Sequence, residues 1–156
     1  MYVLSVYCNQ NNVTIPPVLG CKMRQIKVLV VDDHQDFRRV VLDFLNRLPH
    51  INVVGEAVDG DEAIEKAAIL SPDIILMDVA MPKKNGLEAT RIIKQRWPEI
   101  KVMIATTHDN PLYRMQALEA KADGFILKSA LKPGLEAAFG IVRPVPAAAV
   151  SDKTMI

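Results

Sequence analysis

Four stretches of this 156-residue chain end on side chains suited to handling a charged group: Asp32 and Asp33 after IKVLVV, Asp78 after DIILM, Thr106 after VMIA and Lys128 after GFIL. Carboxylates crowded into one crevice repel by roughly 4 kcal/mol per pair at about 4 Å, taking an effective dielectric near ~20. Asp32, Asp33 and Asp78 together therefore call for a cation or a raised pKa. No Cys or His pair lies near them, so the all-oxygen donor set favours a hard divalent ion, and Mg²⁺ suits an open site that keeps waters for a phosphoryl oxygen. The Thr106 hydroxyl and the Lys128 charge add donors for equatorial oxygens. A nucleophile, a bridging metal and such donors are the parts of an in-line phosphoryl transfer. Taken singly, each residue has a plainer reading. Aspartates after a strand open turns or cap helices, Thr is a common strand residue, and Lys commonly solvates a strand end. The combination is what points to chemistry.

These residues meet only if the strands carrying them are neighbours. Apolar runs alternate with helical periods along the chain, the pattern of repeated βα units and a parallel sheet. The first strand is expected at 26–31, followed by a helix whose Phe37, Val40, Val41, Phe44, Leu45 and Leu48 form one buried stripe, closed by Pro49. A second strand is expected at 52–57 and a second helix at 61–70, with Ala63, Ile64, Ala67 and Ala68 inward and Ser71-Pro72 as its stop. The third strand, 73–77, delivers Asp78. A helix at 87–97, a strand at 101–106, a helix at 111–120 and a strand at 124–127 follow. The last helix keeps a stripe of Leu131, Leu135, Ala138, Phe139 and Val142, but Gly134 and Gly140 should leave it short or frayed. In such a sheet ligands gather at the carboxyl ends of the strands, where the five residues converge.

Composition fits one α/β domain with tails. Nineteen basic against 18 acidic residues leave a net charge of +1, giving no global case for nucleic acid or an anionic membrane. Cys8 and Cys21 match no metal-ligand spacing and read as reduced thiols of a cytoplasmic protein. No apolar run reaches the roughly 20 residues of a membrane span. The opening MYVLSVYCNQNNVTIPPVLGC lacks a basic start and is interrupted by Asn9, Gln10, Asn11 and Asn12, so it does not read as an export signal. Residues 1–22 are expected to be a disordered extension, from an upstream translation start or as an artificial remnant, before a domain of residues 23–142. Residues 143–156 read as a linker or tail.

The segments VLVVDDH, DIILMDVAMPKKNGLEAT, ATTHD and ADGFILKS, in order over roughly residues 24–142, resemble the receiver domain of two-component response regulators of the NarL/LuxR type. The resemblance implies a flavodoxin-like, doubly wound (βα)5 three-layer sandwich with a parallel five-stranded sheet of order 2-1-3-4-5. It also implies a signalling switch rather than a turnover enzyme. Asp78 looks like the phosphoacceptor for a sensor histidine kinase. Asp33 looks like the direct Mg²⁺ ligand, with Asp32 acting mainly through water, and Asp78 and the Ala80 backbone carbonyl complete the set. Thr106 and Lys128 would hold the phosphoryl oxygens, and Thr106 would move with Phe125, in the place of the family's switch aromatic. His108 would sit at the rim and govern water access. Pro82 and Gly86 would shape the loop after Asp78, with Gly86 at a positive φ. Lys83 and Lys84 read as solvated loop lysines.

Several positions depart from the commonest pattern. Ser129 stands where many receivers have proline after a cis bond, and Lys121 stands where glycine often ends the fourth helix. Regulators of this group usually carry a helix-turn-helix domain after the linker, and the closing VSDKTMI resembles the approach to one. The expectation is a truncated transcription regulator whose receiver does not itself bind nucleic acid and that forms a homodimer on phosphorylation. The rivals are a stand-alone regulator and a phosphorylation-independent pseudo-receiver, both acting by protein docking. A phosphohydrolase with an aspartate nucleophile would want an acid two residues on, where Ala80 and Gln35 stand. No glycine-rich loop follows the first strand, which argues against a nucleotide site.

Overall fold

The computed structural model describes residues 24–139. Expectations for residues 1–22, Gly140, Val142 and residues 143–156 lie outside them. Five parallel strands, β1 (Ile26–Val31), β2 (Ile51–Ala57), β3 (Ile74–Asp78), β4 (Lys101–Thr106) and β5 (Gly124–Leu127), alternate with helices α1 (Gln35–Leu45), α2 (Gly60–Leu70), α3 (Gly86–Arg96), α4 (Pro111–Glu119) and α5 (Leu131–Ala138). The sheet order is β2-β1-β3-β4-β5, the flavodoxin-like order the resemblance implied.

Side chains alternate between sheet faces along each strand, and the core divides accordingly. Leu29, Val31, Ile75, Met77, Val102 and Ile104 pack with Ala63, Ala67, Ile93 and Ala117 of α2, α3 and α4. Val28, Val30, Ile74, Leu76 and Ile126 pack with Val41, Leu45 and Leu135 of α1 and α5. Both faces of β1 and β3 are covered, hence their near-continuous apolar sequences. Among the described residues no helix is long and apolar enough to cross a membrane.

Two residues expected inside lie outside. Val40 is 58 % exposed because it falls at the margin of the stripe that Val41 and Leu45 bury. Ala68 is exposed because it turns past the face set by Ala63 and Ala67. Helix α2 also begins at Gly60, one residue early, because Asp59 caps it by accepting from the Glu62 amide at 2.9 Å. The last helix is short, as its glycines suggested. A Cβ at Gly134 would stand 2.5 Å from Ile126 Cγ2, so the glycine also admits α5 close to β5. No described peptide bond is cis, so Lys128–Ser129 is trans and enters a 3₁₀ turn, Lys128–Ala130.

Candidate functional site

Strand register assembles the site. Val31 pairs with Met77, so Asp32 follows its strand beside Asp78. Asp78 pairs with Ala105 and Thr106 with Leu127, so Thr106 and Lys128 close the row at the same edge. The order reverses between β1 and β3, the switch point where such sheets open a crevice.

Asp32, Asp78 and Thr106 are each at most 3 % exposed. The Lys128 ammonium donates to Asp32 Oδ2 at 2.5 Å, lies 3.1 Å from Asp78 Oδ1, and stands 4.3 Å from the centre of the Phe37 ring. Burial pushes the Asp78 carboxyl above its ordinary value; the Lys128 charge opposes that shift and the Asp32 charge adds to it. A buried lysine between two buried acids thus supplies a counter-charge at the base of the crevice, and the Phe37 ring covers it.

The β1–α1 turn is built on Asp32. Its Oδ1 accepts the His34 amide at 2.9 Å and its carbonyl accepts Arg38 Nη1 at 2.8 Å. Asp33 lies beside it, with His34 Nδ1 2.8 Å from Oδ1. That oxygen is buried yet accepts no hydrogen bond. Asp32, Asp33 and His34 can present ligand atoms within 4.8 Å of one another. A buried carboxylate oxygen that accepts no hydrogen bond and has a histidine ring nitrogen 2.8 Å away, beside a second carboxylate, fits a hard divalent cation.

The loop after Asp78 is fixed from two sides. A Cβ at Gly86 would stand 1.7 Å from the Asp78 carbonyl oxygen, so α3 can start this close to β3 only with glycine there. Gly86 does not adopt the positive φ expected of it; it is the first residue of α3, and close approach is its reason. On the other side Lys83, at φ 61°, donates to Asp59 Oδ2 at 2.6 Å, and the Gly60 amide donates to the Lys84 carbonyl at 3.1 Å. Lys83 is therefore not merely solvated. The Glu62 amide first, and Lys83 next, hold the Asp59 carboxyl below its ordinary value.

Ala80 lies at the mouth, in a cavity that Asp78, Lys128, Phe37 and His34 also line. Exposed His108 donates its amide to Thr106 Oγ1 at 3.2 Å, and its ring centre is 6.2 Å from that of Tyr113. Phe125 is partly buried, below the guanidinium of Arg114 at 4.8 Å. In the sequence alone His34 has no assigned role, Phe37 belongs only to a buried stripe, and Lys83 is a solvated lysine with no link to Asp59. Asp59 carried a signal, an Asp three residues before Glu62, the spacing of a capping box. His34 and Phe37 needed the fold.

The family model described as a response regulator receiver domain matches residues 28–139. The transcriptional regulatory protein DegU of Brevibacillus brevis is 42 % identical over 104 residues, 67 % of this chain and 44 % of DegU. A protein-glutamate methylesterase/protein-glutamine glutaminase of Pyrococcus horikoshii is 45 % identical over 113 residues, 72 % of this chain but 30 % of that protein. The chain thus spans less than half the length of either relative. The signal receiver domain of NarL from Mycobacterium tuberculosis superposes with a TM-score of 0.71 at 33 % identity, covering 76 % of this chain and 95 % of that one. With the strand order and the row of site residues, these matches show that the chain belongs to the response regulator receiver domain family, as a receiver of the NarL/LuxR type.

Proposed function

We propose that Asp78 accepts a phosphoryl group from a phosphohistidine on a sensor histidine kinase and that the modified domain switches its output. A carboxylate oxygen of Asp78 attacks phosphorus while the phosphorus–nitrogen bond breaks. The bonding electron pair returns to the kinase imidazole, leaving an aspartyl phosphate. Each domain takes up one phosphoryl group, so the chain acts as a switch and not as a turnover enzyme.

The Lys128 ammonium, already 3.1 Å from Asp78, offsets charge on the phosphoryl oxygens, and the Thr106 hydroxyl donates to them. Asp33 directly, Asp32 mainly through water, Asp78 and the Ala80 carbonyl would hold Mg²⁺, and the buried Asp33 oxygen that accepts no hydrogen bond favours that assignment. When bound, the ion supplies positive charge that offsets the carboxylates and the phosphoryl oxygens. His108 at the rim limits water access to the acyl phosphate. Once Thr106 turns toward the new oxygens it vacates space into which Phe125 rotates, and α4 and β5 present a changed face.

The observation that carries this reading is Lys128 held between Asp32 at 2.5 Å and Asp78 at 3.1 Å. The output we assign is transcription regulation in the cytoplasm, through a helix-turn-helix domain beyond this chain and a homodimer formed on phosphorylation. The likeness to DegU and NarL supports it. Incubation with Mg²⁺ and a small phosphodonor should add one phosphoryl mass, abolished by Asp78→Ala and weakened by Thr106→Ala. Full labelling of Asp78→Ala would refute the assignment.

A further inference from the structure

A hydrogen bond, the His108–Asp109 peptide link, an ion pair and a cation–ring contact together join the Thr106 hydroxyl to Phe125. The His108 amide donates to Thr106 Oγ1 at 3.2 Å, tying the start of the segment 107–110 to the site. The next residue of that segment, Asp109, accepts from Arg114 Nε at 3.0 Å and Nη2 at 2.8 Å, both on Oδ1. The guanidinium so oriented lies 4.8 Å from the centre of the Phe125 ring. Phe125 is packed on its other side against the core shared by α2, α3 and α4. A guanidinium over a ring face attracts it, and a carboxylate gripping the guanidinium fixes where that attraction acts. The ring orientation seen here is therefore favoured from outside the core as well as from within it.

We propose that Arg114 is a positioning residue that latches Phe125 in its resting orientation, with Asp109 as the anchor of the latch. The inference rests on Phe125 being the switch aromatic of the phosphoryl response proposed above. When Thr106 turns its hydroxyl toward a phosphoryl group, the His108 contact is lost and the segment bearing Asp109 is freed. Arg114 then loosens from the ring. Coupling between two sites is reciprocal, so any change that opens the latch also favours a phosphoryl group, or its mimic, at Asp78.

The test uses the full chain with Mg²⁺ and beryllofluoride, a phosphoryl mimic, and follows the Phe125 side-chain rotamer by NMR. Arg114 is half exposed, so Arg114→Gln leaves the core intact. In the resting protein Arg114→Gln should shift the Phe125 rotamer population. It should also tighten beryllofluoride binding by about two- to five-fold, the range set by an exposed cation–π contact. Asp109→Ala should move both readouts in the same direction, and the double variant should add nothing to Arg114→Gln alone. An unchanged resting rotamer in Arg114→Gln overturns the latch, whatever the mimic does. A shifted rotamer with unchanged or weaker beryllofluoride binding overturns its coupling to the site. A shifted rotamer in a protein whose wild type takes up no beryllofluoride leaves the latch standing and sinks the phosphoryl reading instead.

Discussion

Gly86→Ala tests how tightly the loop after Asp78 is specified. The added Cβ would lie 1.7 Å from the Asp78 carbonyl oxygen, 2.8 Å from its carbon and 2.9 Å from Met77 Cγ, whereas real Cβ contacts stay beyond 3.0 Å. Either the end of β3 or the start of α3 must retreat by more than about 1 Å, and two of the obstructing atoms are backbone. Alanine favours a helix over glycine by at most ~1 kcal/mol, while overpacking costs about 1–3 kcal/mol, so the clash wins and the net loss should be about 1–2 kcal/mol. Thermal unfolding should then fall by roughly 4–8 °C for a domain of this size. The functional effect should be larger, because a misplacement of about 1 Å can cost on the order of 100-fold in rate. Urea unfolding and the rate of labelling by a small phosphodonor read the two effects separately. A Gly86→Ala protein as stable as wild type that labels within about two-fold of its rate would refute the packing argument.

Lys121, at φ 61° just past Ala120, the C-cap of α4, occupies the left-handed region that side chains disfavour by about 1–2 kcal/mol. Lys121→Gly should raise the urea midpoint by the equivalent of about 1 kcal/mol, less the entropy glycine adds to the unfolded chain, and a lowered midpoint would contradict this. The Asp59 carboxyl is held below its ordinary value, so its contribution to stability is full above the unfolded carboxylate value of about 3.9 and is lost as pH falls through the lower folded value. Asn also caps helices, so the stability gap between wild type and Asp59→Asn should narrow as pH drops below about 4; a gap that widens there would reverse the sign. Substitutions at Ala80 and His108 should alter the lifetime of the phosphorylated form more than its rate of formation, measured by following label loss and label gain in the same protein. Equal effects on both rates would count against a rim role for either residue.

Most strands were legible because they are short, largely apolar runs; β2, INVVGEA, is more mixed. β1, β4 and β5 fall where the sequence puts them, since turn residues bound them. The ends of these runs gave Asp32, Asp78, Thr106 and Lys128 as candidates, and register set them in one row. What the sequence hid was tertiary. Lys83 meets Asp59 across 24 residues, and Phe37 lies over Lys128 rather than only filling the core. Gly86 could be singled out from its loop, but its reason could not, because the oxygen it makes room for belongs to another element. Val40 and Ala68 show the limit of periodicity, which gives the direction of a stripe better than its width.

The most direct test of the central claim locates the phosphoryl group chemically. After incubation with Mg²⁺ and a phosphodonor, borohydride reduction of an aspartyl phosphate leaves homoserine in its place, which peptide mass spectrometry can read. The account predicts homoserine in place of Asp78 alone, dependent on both Mg²⁺ and the donor. Homoserine in place of Asp32 or Asp33, or an unreduced Asp78 in protein that carries the phosphoryl mass, would contradict it.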